Sequence, residues 1–194
     1  MGDLCLVINL GSSSLKAALV DSTGAFVWHE GRSLSKDDVL ETVLDSWLTP
    51  AIAPQRQRLE RIGHRVVHGG ERFTAPTLIT AEVERRLTEL IPLAPLHNPP
   101  ALKGLAWARL RAPQRPQWAC FDTAFPSSLP AAASTHAIPQ ALREQGYRRF
   151  GFHGINHQHV AETVAAQWQQ QGRDPKNLRL ISAHLGAGAS LAAI

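Results

Sequence analysis

Glycine, serine and lysine follow an apolar run near the start of the chain in a pattern suited to binding phosphate. Residues 4–21, LCLVINLGSSSLKAALVD, predict two strands joined by a turn of small residues. Glycine lets the backbone approach a ligand closely, and exposed amides with serine hydroxyls form an anion-binding concavity. The candidate contacts are Ser12, Ser13, Ser14 and Lys16. An ordinary glycine–serine turn has the same composition, so this stretch alone leaves both interpretations open.

A similar pattern recurs near the end of the sequence. Residues 178–185 predict a strand, the turn 186–190 reads GAGAS, and an apolar run follows it. The candidate phosphate contacts there are His184, Gly186 and Gly188. Two such hairpins facing each other would hold a polyphosphate between two domains.

Three further segments place polar side chains beside predicted strands or helices. Arg65 lies in IGHRVVH at 62–68, and Asp122 follows the buried-looking strand 117–121. His153 lies in the glycine- and histidine-rich segment 150–159, FGFHGINHQH, which leads into a helix.

The remaining periodicity predicts an α/β protein with a mixed sheet. We expect a β-meander at the N-terminus, a helix over 35–48 with Ser35 as its N-cap, and a helix over 80–91 capped by Thr80. Asn98 is expected to cap a further helix that ends at Arg111. The same pattern suggests a first domain over 1–125 and the beginning of a second over 126–194.

Composition narrows the class of protein. With 194 residues and 44% hydrophobic content, the chain is expected to bury one core, or one domain and part of another. No run approaches the roughly 20 apolar residues of a membrane span, so a cytoplasmic protein is expected. The net charge of +4 is dispersed, which predicts neither a nucleic-acid nor a membrane partner. Cys5 and Cys120 lie in apolar runs typical of buried, reduced thiols.

Six segments in order closely resemble successive signatures of the acetate kinase family. They are VINLGSSSLK, GHRVVHGGERF, LAPLHNPP, FDTAFP, GFHGINH and SAHLGAGAS. The resemblance implies a ribonuclease H-like, actin-like ATPase fold of the sugar-kinase, actin and heat-shock ATPase superfamily, whose two similar domains enclose ATP. It further implies that the γ-phosphoryl group of ATP is transferred to acetate, giving acetyl phosphate and ADP, with Mg²⁺ as cofactor and a homodimer as the full-length form.

The resemblance also implies roles for individual residues. Asn9 would belong to the metal network, and Arg65 would face the substrate, where a planar guanidinium suits both a carboxylate and a phosphoryl group. A carboxylic acid substrate with a pKa of about 4.3 is already an anionic nucleophile at neutral pH and needs little help from a general base. Asp122 would therefore organise magnesium-bound water and the geometry of the substrate. His153 would contact the transferring phosphoryl group. Val67, Leu96 and Phe152 would line the acyl pocket.

For several of these positions a purely structural role stays open as the alternative. Arg65 is also compatible with a surface arginine, the acyl-pocket residues with ordinary core, and His97, His157 and His184 with structural histidines bonded to the backbone. The second loop departs from the family, which usually carries asparagine and glycine where this chain has Ala187 and Ala189. That departure puts phosphate binding by this loop in question.

The family's later active-site segments lie beyond Ile194 in this pattern. The expectation is therefore an incomplete, inactive N-terminal half of an acetate kinase. Two alternatives are a propionate or butyrate kinase and a non-catalytic module that binds carboxylates or other anions. The sequence does not decide between these substrates or between these classes.

Overall fold

A computed structural model describes residues 3–11, 13–35, 37–186 and 188–194. The chain divides into two compact units, the first comprising Met1–His68 with Pro76–Cys120 and the second Gly69–Ala75 with Phe121–Ile194. The proposed domain boundary after residue 125 stays a prediction.

The first unit is built on a mixed sheet, which confirms the predicted fold class. Its six strands run in the order β3-β2-β1-β4-β6-β5. They are β1 Leu4–Leu10, β2 Ser14–Val20, β3 Phe26–Ser33, β4 Leu59–Val66, β5 Thr77–Leu78 and β6 Gln117–Phe121. Strands β1 and β4 are parallel, whereas β1–β2, β2–β3 and β5–β6 are antiparallel. The predicted meander of β1, β2 and β3 is therefore present, and β4 joins the sheet beside β1 as a parallel strand.

Four helices accompany these strands. They are α1 Leu40–Val43, α2 Thr49–Ile52, α3 Ala81–Glu89 and α4 Asn98–Arg111, with a π-helical turn at Leu44–Leu48 between α1 and α2. The predicted start at residue 35 is wrong, because the Ser35 amide donates to the Asp38 carboxylate over 2.7 Å and closes a turn before the helix. The helical stretch then runs on to Ile52, with Pro50 in the first turn of α2.

The core lies on one face of this sheet. Alternate residues of β1 and β2 pack there against α1, α2 and α4. Its members include Leu6, Ile8, Leu10, Leu15, Leu19, Leu44, Leu48, Ile62 and Trp107. Helix α4 comes close to β1 at Gly104, where a methyl group would lie 2.8 Å from the Leu10 side chain.

The opposite face of β1 carries Cys5, Val7 and Asn9, which are less buried than the core residues. Cys5 and Cys120 are free thiols that are half-buried, not buried as predicted, and desolvation raises the pKa of each.

Asn98 does not cap α4 as the sequence suggested. His97 holds the cap position, and the fully buried Asn98 side chain bonds instead to the backbone of His68. Its Oδ1 accepts from the His68 amide and its Nδ2 donates to the His68 carbonyl, each over 3.1 Å. Asn98 thus fastens the start of α4 to the segment that follows β4. Thr80 does cap α3, accepting from the Val83 amide as predicted.

The described residues of the second unit form, besides 3-10 turns at Phe125–Ser128 and Pro175–Asn177, three α-helices and a hairpin. They are α5 Ala131–Ser134, α6 Gln140–Glu144, α7 Gly154–Gln170, and the antiparallel strands β7 Ile181–His184 and β8 Ser190–Ala193. The hairpin confirms the strand–turn–strand pattern predicted for the end of the sequence. Among the described residues, no helix is long and apolar enough to cross a membrane.

Candidate functional site

Three polar side chains form a row across neighbouring strands of the first unit. Asn9 on β1 pairs directly with Lys16 on β2, which places both side chains on the same face of the sheet. On the other side of Asn9, the Arg65 side chain on β4 reaches it, with Nη1 donating to Asn9 Oδ1 over 3.0 Å. Asn9 and Arg65 are half-buried, and Lys16 is exposed. The row therefore presents two cations on either side of an amide, on the face opposite the core.

The turn between β1 and β2 closes beside this row. The Gly11 amide donates to the Ser14 carbonyl over 2.8 Å, and the Ser13 carbonyl accepts from the Leu34 amide, also over 2.8 Å. Ser13 is exposed and Ser14 half-buried, while Ser12 lies outside the described residues. The backbone of the predicted phosphate loop is thus held at both ends.

The proposed acyl-pocket residues are not ordinary core. Leu96 is 71% exposed and Phe152 is 42% exposed, while Val67 is half-buried. The alternative that these side chains are simply buried is wrong for Leu96 and Phe152. Exposed apolar side chains of this size are available to contact a ligand.

Asp122 is buried in the second unit. It follows β6 directly and is only 2% exposed. Its carbonyl accepts from the Gly154 amide, the first residue of α7, over 2.9 Å. The neighbouring Thr123 accepts from the Gly69 amide through Oγ1, also over 2.9 Å. The main chain at Asp122 and the side chain of Thr123 are therefore each bonded to a backbone amide of another segment.

His153 adopts an unusual backbone conformation immediately before α7. Its φ is 58° and ψ is 24°, and among the described residues it is the one non-glycine residue with positive φ. Histidine tolerates this left-handed region better than most residues, but the conformation still costs free energy. Residues held this way concentrate at functional sites, which supports His153 as a functional residue.

The ring of His153 belongs to a cluster of histidine and serine side chains. Its Nδ1 lies 2.8 Å from Ser190 Oγ, and the same oxygen lies 2.8 Å from His157 Nε2. His157 Nδ1 lies 2.8 Å from Ser182 Oγ. His184 stacks on His153 with ring centroids 3.9 Å apart and meets His157 edge-on at 6.4 Å.

The cluster corrects one expectation about the histidines. The side chain of His157 bonds to two serine hydroxyls, not to the backbone. Burial, and secondly the neighbouring His184, lowers the pKa of His157, so that its ring is neutral at neutral pH. His97 is exposed.

Ser182 and Ser190 were missed as functional residues in the sequence. The available signal was spacing: Ser182 and His184 share a face of β7, and His153 and His157 are separated by one helical turn. Which face of the hairpin meets the histidine pair depends on the packing of β7 and β8 against α7.

Gly188 brings the second loop close to this cluster. A methyl group at Gly188 would lie 3.4 Å from His153 Nε2, tighter than most side-chain contacts. Gly186 and Ala189 are exposed, and Ala187 lies outside the described residues. The loop thus lies beside the nitrogen of His153 that faces away from Ser190.

The oxygen donors suit magnesium better than a softer metal. The described residues contain no group of three or more His, Cys, Asp or Glu side chains that could hold a metal ion. Mg²⁺ needs few protein ligands, because it keeps several waters and binds one or two carboxylates together with substrate phosphates. The buried carboxylate of Asp122 and the amide oxygen of Asn9 are donors of this kind.

The site residues divide between the two units. Those in the first unit are Asn9, Ser13, Ser14, Lys16, Arg65, Val67 and Leu96. Those in the second unit are Asp122, Phe152, His153, His184, Gly186 and Gly188.

Comparisons with known proteins all point to one family. The model of the Acetokinase family matches residues 27–194. Acetate kinase of Synechococcus sp. is 52% identical over 74% of this chain and 35% of its own length. Acetate kinase of Deinococcus radiodurans is 41% identical over 97% of this chain and 52% of its own. The chain thus spans about half the length of this second relative, and less of the first.

Solved structures agree with this result. The chain is similar to an acetate kinase from Porphyromonas gingivalis, with 31% identity and a TM-score of 0.81. It is also similar to a propionate kinase from Francisella tularensis, with 31% identity and a TM-score of 0.84. In both cases the similarity covers 100% of this chain and 55% of the other.

Proposed function

The chain belongs to the Acetokinase family, and on this premise we propose that its protein transfers the γ-phosphoryl group of ATP to acetate, giving acetyl phosphate and ADP. This chain would contribute the residues that bind the carboxylate and contact the transferring group. A cytoplasmic homodimer, as in the full-length family, is part of the same proposal.

The row formed by Lys16, Asn9 and Arg65 is the observation that carries this proposal. A carboxylate and a phosphoryl group are both small oxyanions, and a guanidinium binds either with paired hydrogen bonds. The hydrogen bond from Arg65 to Asn9 holds the Arg65 guanidinium in one orientation. Lys16 adds a second positive charge to the same face. The row therefore supports binding of an anionic substrate on the open face of this unit.

The second unit would supply groups for the transfer itself. A bound Mg²⁺ would neutralise charge on the phosphate oxygens, and Asp122 would organise the water bound to it. His153 would donate a hydrogen bond to the transferring phosphoryl group. Positioned donors of this kind stabilise the charge that is spread over the equatorial oxygens.

Propionate is the second candidate substrate. The similarity to a propionate kinase equals that to an acetate kinase in sequence identity, so neither comparison separates the two substrates. Val67, Leu96 and Phe152 are the residues proposed to contact the acyl group. One methylene group in such a pocket changes discrimination by only about 1–3 kcal/mol.

A chimeric enzyme tests the proposal directly. Residues 1–194 would replace the matching part of the Deinococcus radiodurans acetate kinase, with which the chain aligns over 97% of its length. We expect the chimera to form acyl phosphate from ATP and acetate, detected by trapping with hydroxylamine. Comparing kcat/KM for acetate, propionate and butyrate then identifies the substrate.

The controls separate catalysis from folding. The Asp122→Asn chimera should keep the same thermal unfolding profile and lose acyl phosphate formation. The unmodified relative is assayed alongside. A folded chimera that binds acetate or phosphate by calorimetry without forming acyl phosphate would favour the non-catalytic anion-binding alternative instead.

A further inference from the structure

The Ser190 hydroxyl lies between two histidine rings and has one hydrogen to donate. Its oxygen is 2.8 Å from His153 Nδ1 and 2.8 Å from His157 Nε2. When a hydroxyl bonds to two ring nitrogens, it donates to one and accepts from the other, unless both rings donate to it. When Ser190 donates to one of the rings, it therefore links the tautomer of that ring to the tautomer of the other.

If the Ser190 hydrogen lies between the two rings, counting hydrogens along the chain of bonds gives two arrangements; if both rings donate to Ser190 instead, their tautomers differ. In the first, Ser182 donates to His157 Nδ1, His157 Nε2–H donates to Ser190, and Ser190 donates to His153 Nδ1. His153 then carries its proton on Nε2. In the second, every bond is reversed, and both rings carry the proton on Nδ1. In either arrangement of neutral rings, the two histidines have the same tautomer.

We propose that Ser190 is a positioning residue that holds the ring proton of His153 on Nε2. The choice of the first arrangement rests on the proposed function. His153 Nε2 faces the loop at Gly188, and a phosphoryl group bound there has only oxygen acceptors. A donor is required at that nitrogen, and the first arrangement provides it.

The surroundings of the cluster favour a defined tautomer. His157 is 2% exposed and Ser182 is 3% exposed, so water does not compete for the bonds at that end. His157 remains neutral at neutral pH and thus has one ring hydrogen to place. His184 stacks on the face of His153, away from the line of hydrogen bonds through Nδ1. Ser190 Oγ lies within hydrogen-bond distance of both rings.

Ring-nitrogen NMR of the 194-residue chain tests this assignment without substrate. Histidine is labelled with ¹⁵N, and long-range proton–nitrogen correlations are recorded above the ordinary histidine pKa of about 6.5. We expect both His153 and His157 to carry the proton on Nε2. A proton on Nδ1 of His153 would overturn the proposal, and different tautomers in the two rings would overturn the coupling through Ser190.

Substitutions separate positioning from a general effect on structure. Ser190→Ala should shift the His153 tautomer ratio towards Nδ1–H by roughly 2- to 10-fold, the equivalent of one ordinary hydrogen bond. Ser190→Thr, which keeps the hydroxyl, should restore the wild-type ratio. Ser128→Ala is the matched control, since this hydroxyl lies in the same unit and, among the described residues, bonds to the Phe125 carbonyl.

The outcomes remain distinguishable from those of the kinase proposal. An unchanged His153 tautomer in folded Ser190→Ala would refute positioning by Ser190, whatever the chimera does. If Ser190→Ala does not fold, the wild-type spectrum still decides the tautomer. An inactive chimera with both protons on Nε2 would reject the kinase activity and leave the role of Ser190 standing.

Discussion

Arg65 and Asn9 are joined by a hydrogen bond across two parallel strands, β4 and β1. The amide oxygen of Asn9 accepts from Nη1 of Arg65 over 3.0 Å, so the guanidinium is held beside the turn that follows β1. Preorganising a charged group in this way reduces the entropy lost when it binds an anion. The pair accounts for why an asparagine is useful within an otherwise apolar strand.

Arg65→Ala should weaken binding of acetate and inorganic phosphate to the isolated chain. Hydrogen bonds to charged groups contribute about 1.5–3 kcal/mol, which corresponds to a loss of roughly 10- to 100-fold in affinity. Isothermal calorimetry with each anion measures the change. Arg65→Lys should recover only part of the affinity, because lysine cannot form paired hydrogen bonds.

Arg61→Ala is the matched control for this experiment. Arg61 lies on the same face of β4, is exposed and pairs with Glu60. Its removal should change affinity little. Equal losses for the Arg61 and Arg65 variants would point to a general effect of positive charge and contradict a site at Arg65.

Asn98→Ala should destabilise the first unit. The side chain is fully buried and satisfies both the amide and the carbonyl of His68, so alanine removes one partner from each. A buried group without its partner costs about 1–3 kcal/mol, and we expect a loss of about 2–4 kcal/mol in the free energy of unfolding in urea. Asn98→Asp, which can still accept from the amide, should lose less at neutral pH. An alanine variant as stable as wild type would contradict this role.

His64 should make the protein less stable as the pH falls. The ring is 2% exposed, and burial lowers the pKa of His64 to about 4 from 6.5. The Gln117 side-chain amide has partners for both its oxygen and its nitrogen in one orientation. In that orientation the amide nitrogen donates to His64 Nε2 over 2.8 Å. The unfolded chain binds a proton more readily, so stability is complete above the unfolded pKa and is lost between about pH 6.5 and 4.

From pH 7.5 to 5, this single group should lower the free energy of unfolding by about 2 kcal/mol. Urea unfolding at the two pH values measures the difference. The double variant His64→Leu, Gln117→Leu replaces both partners by apolar groups and should remove that contribution. The idea fails if the double variant keeps the full wild-type difference.

Gly154→Ala should destabilise the second unit and disturb Asp122. A methyl group at Gly154 would overlap the Asp122 carbonyl oxygen and lie 2.7 Å from Cδ of Pro126. Overpacking of this kind costs about 1–3 kcal/mol, and the displaced amide would lose its bond to Asp122. Thermal unfolding and hydrogen exchange of the Gly154 amide report the two effects. Gly63→Ala is the control, because its methyl group would meet only the Cys5 sulfur, at an ordinary 3.8 Å.

Much of the secondary structure follows from local patterns in the sequence. Alternation in β1 and β2 and the Thr80 cap of α3 are local effects, and the structure confirms them. The start of the first helix and the role of Asn98 could not be predicted. In each case a polar side chain has two local options, and the choice depends on which backbone groups would otherwise lack a partner.

The sequence by itself determined the family, the α/β class and the candidate residues, because ordered motifs and periodicity depend only on neighbouring positions. Tertiary structure alone decided which side chains meet. Arg65 reaches Asn9 because β1 and β4, far apart in the chain, are parallel neighbours. Ser190 joins His153 to His157 because the β7–β8 hairpin packs against α7. Such contacts arise from long-range packing, which leaves no periodic signal in the residues it brings together.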